Sequence, residues 1–345
     1  GNVLVGQHPA AQEMSVLFDT ASGNVVLPFA GCKAAACSGK RRFSLRKSPS
    51  ARRINTDGRP VQKGDKFMDG QTIDFAQIDL GGGYVKGTMV EDDVCLGPHG
   101  GSQLCTRLGV VAAHDMTAVP FSSMPHDGLV GLGLDALTVA SPLFNFLRSF
   151  SADSGLLPQF GLSLRGPRGE LTFGGPGPSH SRVSPTDWVP VAHPEEGYWQ
   201  VRIEAVRVDN STADSCPGGC RGIIDTGASR LGVPAALAPG LAAMLAATPV
   251  AGGGCRGPKL HFDLGGGTVL TLHPEDYAGP GCGDSSRLVP LRLEPAVDFR
   301  GVFVFGQSVL QRYDTVYDWG SKHVGFSLAT PRAVRLPAAL RPGPG

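Results

Sequence analysis

Two short phrases of this chain nearly repeat. VLFDTASGNVVLP runs from Val16 to Pro28, and GIIDTGASRLGVP from Gly222 to Pro234. Each leads from apolar residues into Asp-Thr, then small residues, then Pro, and the interval from Asp19 to Pro28 equals that from Asp225 to Pro234. An aspartate at the end of a buried strand, followed by residues small enough for backbone to approach backbone, is held on rigid structure. If two such turns met, their carboxylates could not both ionise readily and would share a proton. Such a pair holds an acid and a base at once. It can take a proton from a water attacking a carbonyl while it protonates the carbonyl oxygen. That is amide hydrolysis with neither metal nor covalent intermediate. One Asp-Thr turn alone is commonplace; the repeat with matched lead-in and spacing carries the weight.

The elements that must position these aspartates read as strands. SVLFD, QTIDFAQIDL, YVKGTMVEDDVCL, GLSLR, ELTFGG, YWQVRIEAVRVD, KLHFDL, TVLTLH and VFVFG alternate apolar with polar residues between Gly, Pro, Asp or Ser. Helical stretches are few: SPLFNFLRSF, with Ser141 as N-cap and Pro142 at the first helical position, PAALAPGLAAMLAA, and a turn near GQSVLQRY. Glycine (49) and proline (28) are abundant, as many short strands joined by tight turns require. The class is all-β. A chain of 345 residues suits two domains. We place the first lobe at 1–178 and the second at 179–329, each with one Asp-Thr phrase, joined through FGGPGPSHSRVSP. The basic, Pro-rich residues 330–345 read as a disordered tail.

A net charge of +1 gives no reason to expect nucleic acid as a partner. KRRFSLRKSPSARR, Lys40 to Arg53, is the densest basic run and reads first as a solvated loop, with an acidic partner or membrane surface as the sharper alternative. No apolar run is long enough to span a bilayer, and no signal peptide is recognisable, so the chain reads as an excised mature domain. The eight cysteines fall into close pairs, Cys32/Cys37, Cys95/Cys105, Cys216/Cys220 and Cys255/Cys282. Short loops are the simplest pairing, although eight cysteines permit 105 connectivities. None sits beside histidine at zinc-site spacing, and no cofactor or metal is expected. The compartment is then oxidising: secreted, or an endomembrane, vacuolar or lysosomal lumen. Asn210-Ser211-Thr212 is an N-glycosylation sequon in keeping with it. No Gly-x-Ser-x-Gly elbow or His-Glu-x-x-His motif appears.

The chain resembles the pepsin-like (A1) aspartic proteases over nearly its whole length. VGQHPAAQEMSVLFDT looks like that family's entry into its first motif, and CRGIIDTGAS like its second. HDGLVGLGL and VFVFGQSVLQRYDTVYDWGSKHVGFSLA resemble its two apolar-apolar-Gly segments, which thread beneath the catalytic turns. TDWVPV and GYWQV resemble the start of its second lobe. The resemblance implies a bilobal fold with a cleft between pseudo-two-fold-related lobes, and a dyad of Asp19 and Asp225. Thr20 and Thr226 would lock the two loops together, Ser22 would donate to Asp19, and Gly227 and Ala21 would flank the attacking water. It implies disulfides Cys32–Cys37, Cys216–Cys220 and Cys255–Cys282, with Cys95–Cys105 extra. It also implies a zymogen with a propeptide, further residues ahead of Gly1, a monomer, a peptide or protein substrate lying extended in the cleft with apolar residues around the cut, and sensitivity to pepstatin-like inhibitors.

The match departs from the family in instructive places. Ala21 stands where Gly is usual, a difficulty if that backbone needs positive φ. The substrate-covering flap is LGGGYVKG, and Leu80 takes the position of the flap tyrosine while Val26 takes that of its tryptophan partner. Gly82, Gly83 and Tyr84 complete the candidate flap, with Tyr84 expected at its tip. Ala228 replaces a hydroxyl residue, so Asp225 loses a donor that Asp19 keeps in Ser22, and the pair's upper pKa should rise. The departures keep a second reading open, a catalytically weak or inactive binding or inhibitor protein on the same fold.

Overall fold

The computed structural model describes residues 1–62, 75–80, 82–98, 101–139, 142–164, 169–177, 185–214, 216, 218–251, 254–278, 282, 288–291 and 301–329. The boundary between 178 and 179 and the tail 330–345 lie outside them. Among the described residues strands dominate and helices are short. The fold is all-β, in two similar halves.

Each half is built around the same crossing. In the first, Gln12–Asp19 pairs in parallel with Gly128–Gly131, placing Asp19 opposite Gly131. The chain turns after Asp19 and returns as Val25–Pro28 on the other side of that strand, antiparallel, with Val25 opposite Val130. Leu104–Met116 then pairs in parallel with Val25–Pro28. The second half repeats every step: Cys220–Ile224 runs parallel to Val302–Phe305, Leu231–Pro234 runs antiparallel to it, and Leu288–Leu291 runs parallel to Leu231–Pro234. The reason for apolar-apolar-Gly is steric. A Cβ on Gly131 would stand 2.5 Å from Asn24 N and 2.6 Å from Ser22 O, and one on Gly306 would collide with the carbonyls of Ala228 and Arg230. Only glycine lets this strand pass so close beneath the Asp-Thr turn.

The halves meet in a sheet neither could make alone. Its strand order is Glu170–Phe173, Gln159–Ser163, Tyr313–Asp318, His323–Leu328, Asp187–Pro190. Phe160 stacks on Tyr317 at 4.3 Å between centroids, and Trp199 meets both edge-on at 5.9 and 5.3 Å. All three are fully buried, and such ring pairs add about 0.5–1.5 kcal/mol each beyond their area. Trp199 also donates its indole N–H to Leu132 O at 2.7 Å, fixing the second half to the strand under Asp19.

One expectation changes and one gains detail. The α-helix near 141–150 begins later: Pro142–Phe144 is a 3₁₀ turn, and the helix is Phe146–Ser154, capped by Asn145, whose side chain accepts from Arg148 N. Ser141 lies outside the described residues. The basic run is a solvated loop, as read, but several of its charges are held by the protein. Lys40 donates to the carbonyls of Met124 and His126, Arg41 pairs with Asp127 and Glu13, Arg42 binds the carbonyls of Cys32 and Cys37, and Arg52 pairs with Glu91. Disulfides join Cys32–Cys37, Cys95–Cys105, Cys216–Cys220 and Cys255–Cys282. Among the described residues no helix is long and apolar enough to cross a membrane.

Candidate active site

The two Asp-Thr turns meet across the lobe boundary through a reciprocal lock. Thr20 N donates to Thr226 Oγ1 and Thr226 N donates to Thr20 Oγ1, both at 3.1 Å. Each hydroxyl also reaches the opposite strand: Thr20 Oγ1 donates to Ile224 O at 2.7 Å, and Thr226 Oγ1 to Phe18 O at 2.6 Å. Thr20 is wholly buried and Thr226 nearly so. Every polar group in the lock is satisfied, which burial demands.

The carboxylates are thereby set face to face. Ala21 N donates to Asp19 Oδ1 at 3.0 Å, and Gly227 N donates to Asp225 Oδ1 at 2.7 Å. A Cβ on Gly227 would stand 3.1 Å from Asp225 Oδ1 and 3.3 Å from Asp19 Oδ1, so both oxygens surround one point. Burial raises the pKa of Asp19, against the lowering effect of Ala21 N and Ser22. Asp225 is pushed up to about 7, by burial first and then by the charge of Asp19. Two carboxyl groups so placed hold a single proton between them over the acid range.

The family model of eukaryotic aspartyl proteases matches residues 1–329. The chain belongs to the eukaryotic aspartyl protease family. Pepsin-2B of Gadus morhua is 29% identical over 347 residues, which cover 95% of each chain. Cathepsin E of Rattus norvegicus is 27% identical over 348 residues, 96% of this chain and 80% of the relative. Gastricsin of Cavia porcellus is 28% identical over 347 residues, 95% and 79%. The enzyme class is that of the aspartic-type endopeptidases, hydrolases.

Against that family pattern, Ala21 fits without strain, since it is not among the residues with positive φ. Ser22 Oγ is buried beside Asp19 and lowers that acid's pKa, yet it completes no hydrogen bond of its own among the described residues. At the matching place in the second turn, Ala228 offers only its backbone N–H, 3.2 Å from Asp225 Oδ1.

The candidate flap is a hairpin. Phe75–Leu80 pairs antiparallel with Gly83–Leu96, Leu80 opposite Gly83 and Asp79 opposite Tyr84. The turn therefore lies between Leu80 and Gly83, with Gly82 exposed at φ +86, and Tyr84 lies on the return strand rather than at the tip. The side chain of Leu80 lies outside the described residues. Tyr84 is half-buried; its hydroxyl faces Asp115 Oδ2 at 3.4 Å and Lys86 Nζ stands over its ring at 4.8 Å. Its neighbour Val85 points the other way, into an apolar cluster with Val26, Met116, Phe121 and Leu129, against which Leu17 packs. That cluster backs the strand leading to Asp19.

Sequence reasoning missed Tyr198. It is half-buried, and its hydroxyl pKa is raised by burial and then by the charges of Glu196, Asp225 and Asp19, which places it in the field of the dyad. The signal was in GYWQV, read only as resembling the start of the second lobe. Glu196, which Arg221 holds at 2.7 Å, was likewise unreadable, because the partner is distant in sequence.

Proposed function

We propose that Asp19 and Asp225 form the catalytic dyad of an endopeptidase that hydrolyses peptide bonds in an extended substrate lying between the lobes. The ionised member takes a proton from a water held between the carboxylates, and the protonated member donates to the scissile carbonyl oxygen as the water adds. The resulting geminal diol collapses as the aspartate that took the water's proton gives it to the leaving nitrogen and a diol hydroxyl gives its proton to the other aspartate, so the C–N bond breaks and the dyad again holds one proton on its original member. Burial keeps the shared proton in place well above the pH at which a free carboxyl would lose it. Thr20 and Thr226 fix the geometry, and the backbone N–H groups of Ala21 and Gly227 orient the oxygens, with Ser22 buried beside Asp19. Gly82, Gly83 and Tyr84, with Leu80, belong to the hairpin that covers the substrate, whose residues flanking the cut are apolar. The protein acts as a monomer of two lobes meeting at about residue 178, in an oxidising lumen or outside the cell, as its four disulfides suit.

The single observation supporting this reading is the convergence of Asp19 Oδ1 and Asp225 Oδ1 on one point at Gly227, 3.3 and 3.1 Å away. The test is incubation with a mixed peptide library from about pH 3 to about pH 7, with and without pepstatin. The expected result is pepstatin-sensitive cutting that disappears in Asp19→Asn and in Asp225→Asn. Tight capture of another protein with no cutting would instead identify a binding or inhibitor protein.

A further inference from the structure

The hairpin that ends in Gly82 lacks the tyrosine–tryptophan bond its family position would carry, because Leu80 and Val26 cannot make one. Something else must hold it. On the side of Tyr84 the hairpin meets the loop that follows Met116. Thr117 closes a two-way bond with it: Tyr84 N donates to Thr117 Oγ1 at 3.1 Å, and Thr117 N donates to Tyr84 O at 3.1 Å. The Thr117 hydroxyl then donates onward to Val119 O at 2.8 Å, so one oxygen ties the hairpin to its supporting loop. The loop presses in closely. A Cβ on Gly83 would strike Thr117 Oγ1 and stand 2.6 Å from Val119 O and 2.8 Å from Pro120 Cδ. Val85, fully buried, anchors the opposite face in the cluster behind Asp19.

We propose that Thr117 is a positioning residue, whose hydroxyl pins the return strand of the hairpin through Tyr84 N and so sets the height of the cover over the dyad. The proposal rests on the hydrolase reading for its consequence, but the pin itself is a property of the fold. Valine at 117 keeps the shape and removes the hydroxyl; Thr117→Ser keeps the hydroxyl. Without the oxygen, Tyr84 N loses its acceptor and Val119 O its donor.

The test compares the full chain with Thr117→Val and Thr117→Ser. Amide hydrogen exchange at Tyr84 should quicken about fivefold in Thr117→Val, the worth of one net hydrogen bond, while Val90 and Val111 hold their rates. Thr117→Ser should restore the Tyr84 rate. For peptide cleavage, Thr117→Val should raise KM by a similar factor with the pH limits of kcat unmoved, and Thr117→Ser should again restore it. Unchanged Tyr84 exchange, or acceleration spread evenly over the core, overturns the proposal. Exchange requires no turnover, so a wild-type protein that cleaves nothing sinks the hydrolase reading separately.

Discussion

Replacing Ala228 with threonine should narrow the pH range of activity from its alkaline side. The active dyad carries one proton, and activity ends where rising pH removes it. In the wild-type site that proton belongs to a pair whose upper member, Asp225, stands at about 7. Burial and the charge of Asp19 hold it there, opposed by the backbone donors Gly227 and Ala228. Position 228 is already beside the carboxylate, its N–H 3.2 Å from Asp225 Oδ1, so a hydroxyl grafted onto its Cβ falls within reach. A hydrogen bond to a charged group contributes about 1.5–3 kcal/mol, which is about one to two pKa units. The donor favours the charged form, so the upper pKa falls. The alkaline limb of kcat/KM should move from about 7 to about 5–6, with the Thr20–Thr226 lock unchanged. Profiles of kcat/KM against pH for one peptide substrate, wild type beside Ala228→Thr and an Ala228→Val control, decide it. An unmoved alkaline limb in the threonine variant, or an equal movement in the valine one, refutes the reasoning.

Thr20→Val removes the acceptor of Thr226 N and the donor to Ile224 O, two buried backbone groups; unfolding in urea should show a loss of about 2–5 kcal/mol. Stability should also depend on Asp225: a carboxyl raised from 3.8 to about 7 in the fold contributes stability fully present below 3.8 and lost as pH climbs through 7. Thermal midpoints should therefore fall across that interval in the wild type and fall less in Asp225→Asn. Asn210 sits exposed in the turn between Ala205–Val208 and Ser211–Asp214, so secretory expression should attach a glycan that a peptide N-glycosidase removes and Thr212→Ala prevents.

Much of this site was legible because its parts are local. Asp-Thr with apolar lead-in specifies a strand ending in a turn, and apolar-apolar-Gly specifies the strand able to pass beneath it; the motifs are local even though Gly131 is enforced by Ser22, Gly23 and Asn24 and Gly306 by Ala228 and Arg230, far along the chain. What failed to show depends on tertiary partners. The long strand Leu104–Met116 went unread because Val110, Val111, Ala112 and Ala113 are all fully buried, leaving no alternation to detect. The helix onset went to Ser141 in place of Asn145, since both are competent caps and packing chose between them. The partners of Arg41 and Arg52 in the basic run, Asp127 and Glu91, did not show because they lie far along the chain. Tyr84 was assigned to the tip because a run of three glycines leaves the turn position open, and register settled it.

The dyad combines a symmetric frame with asymmetric surroundings. The backbone-to-hydroxyl bonds of the lock match at 3.1 Å in both directions, and the hydroxyl-to-carbonyl bonds differ by little, 2.7 against 2.6 Å. A frame this even cannot by itself tell one aspartate from the other. A count of donors does not either: Asp19 Oδ1 accepts from Ala21 N with Ser22 Oγ beside it but unbonded, and Asp225 Oδ1 accepts from Gly227 N and Ala228 N. What separates them is charge: burial raises both, and the charge of Asp19 raises Asp225 further. In the proposed mechanism Asp225 therefore keeps the proton and is the acid, and Asp19 is the base that takes a proton from the water.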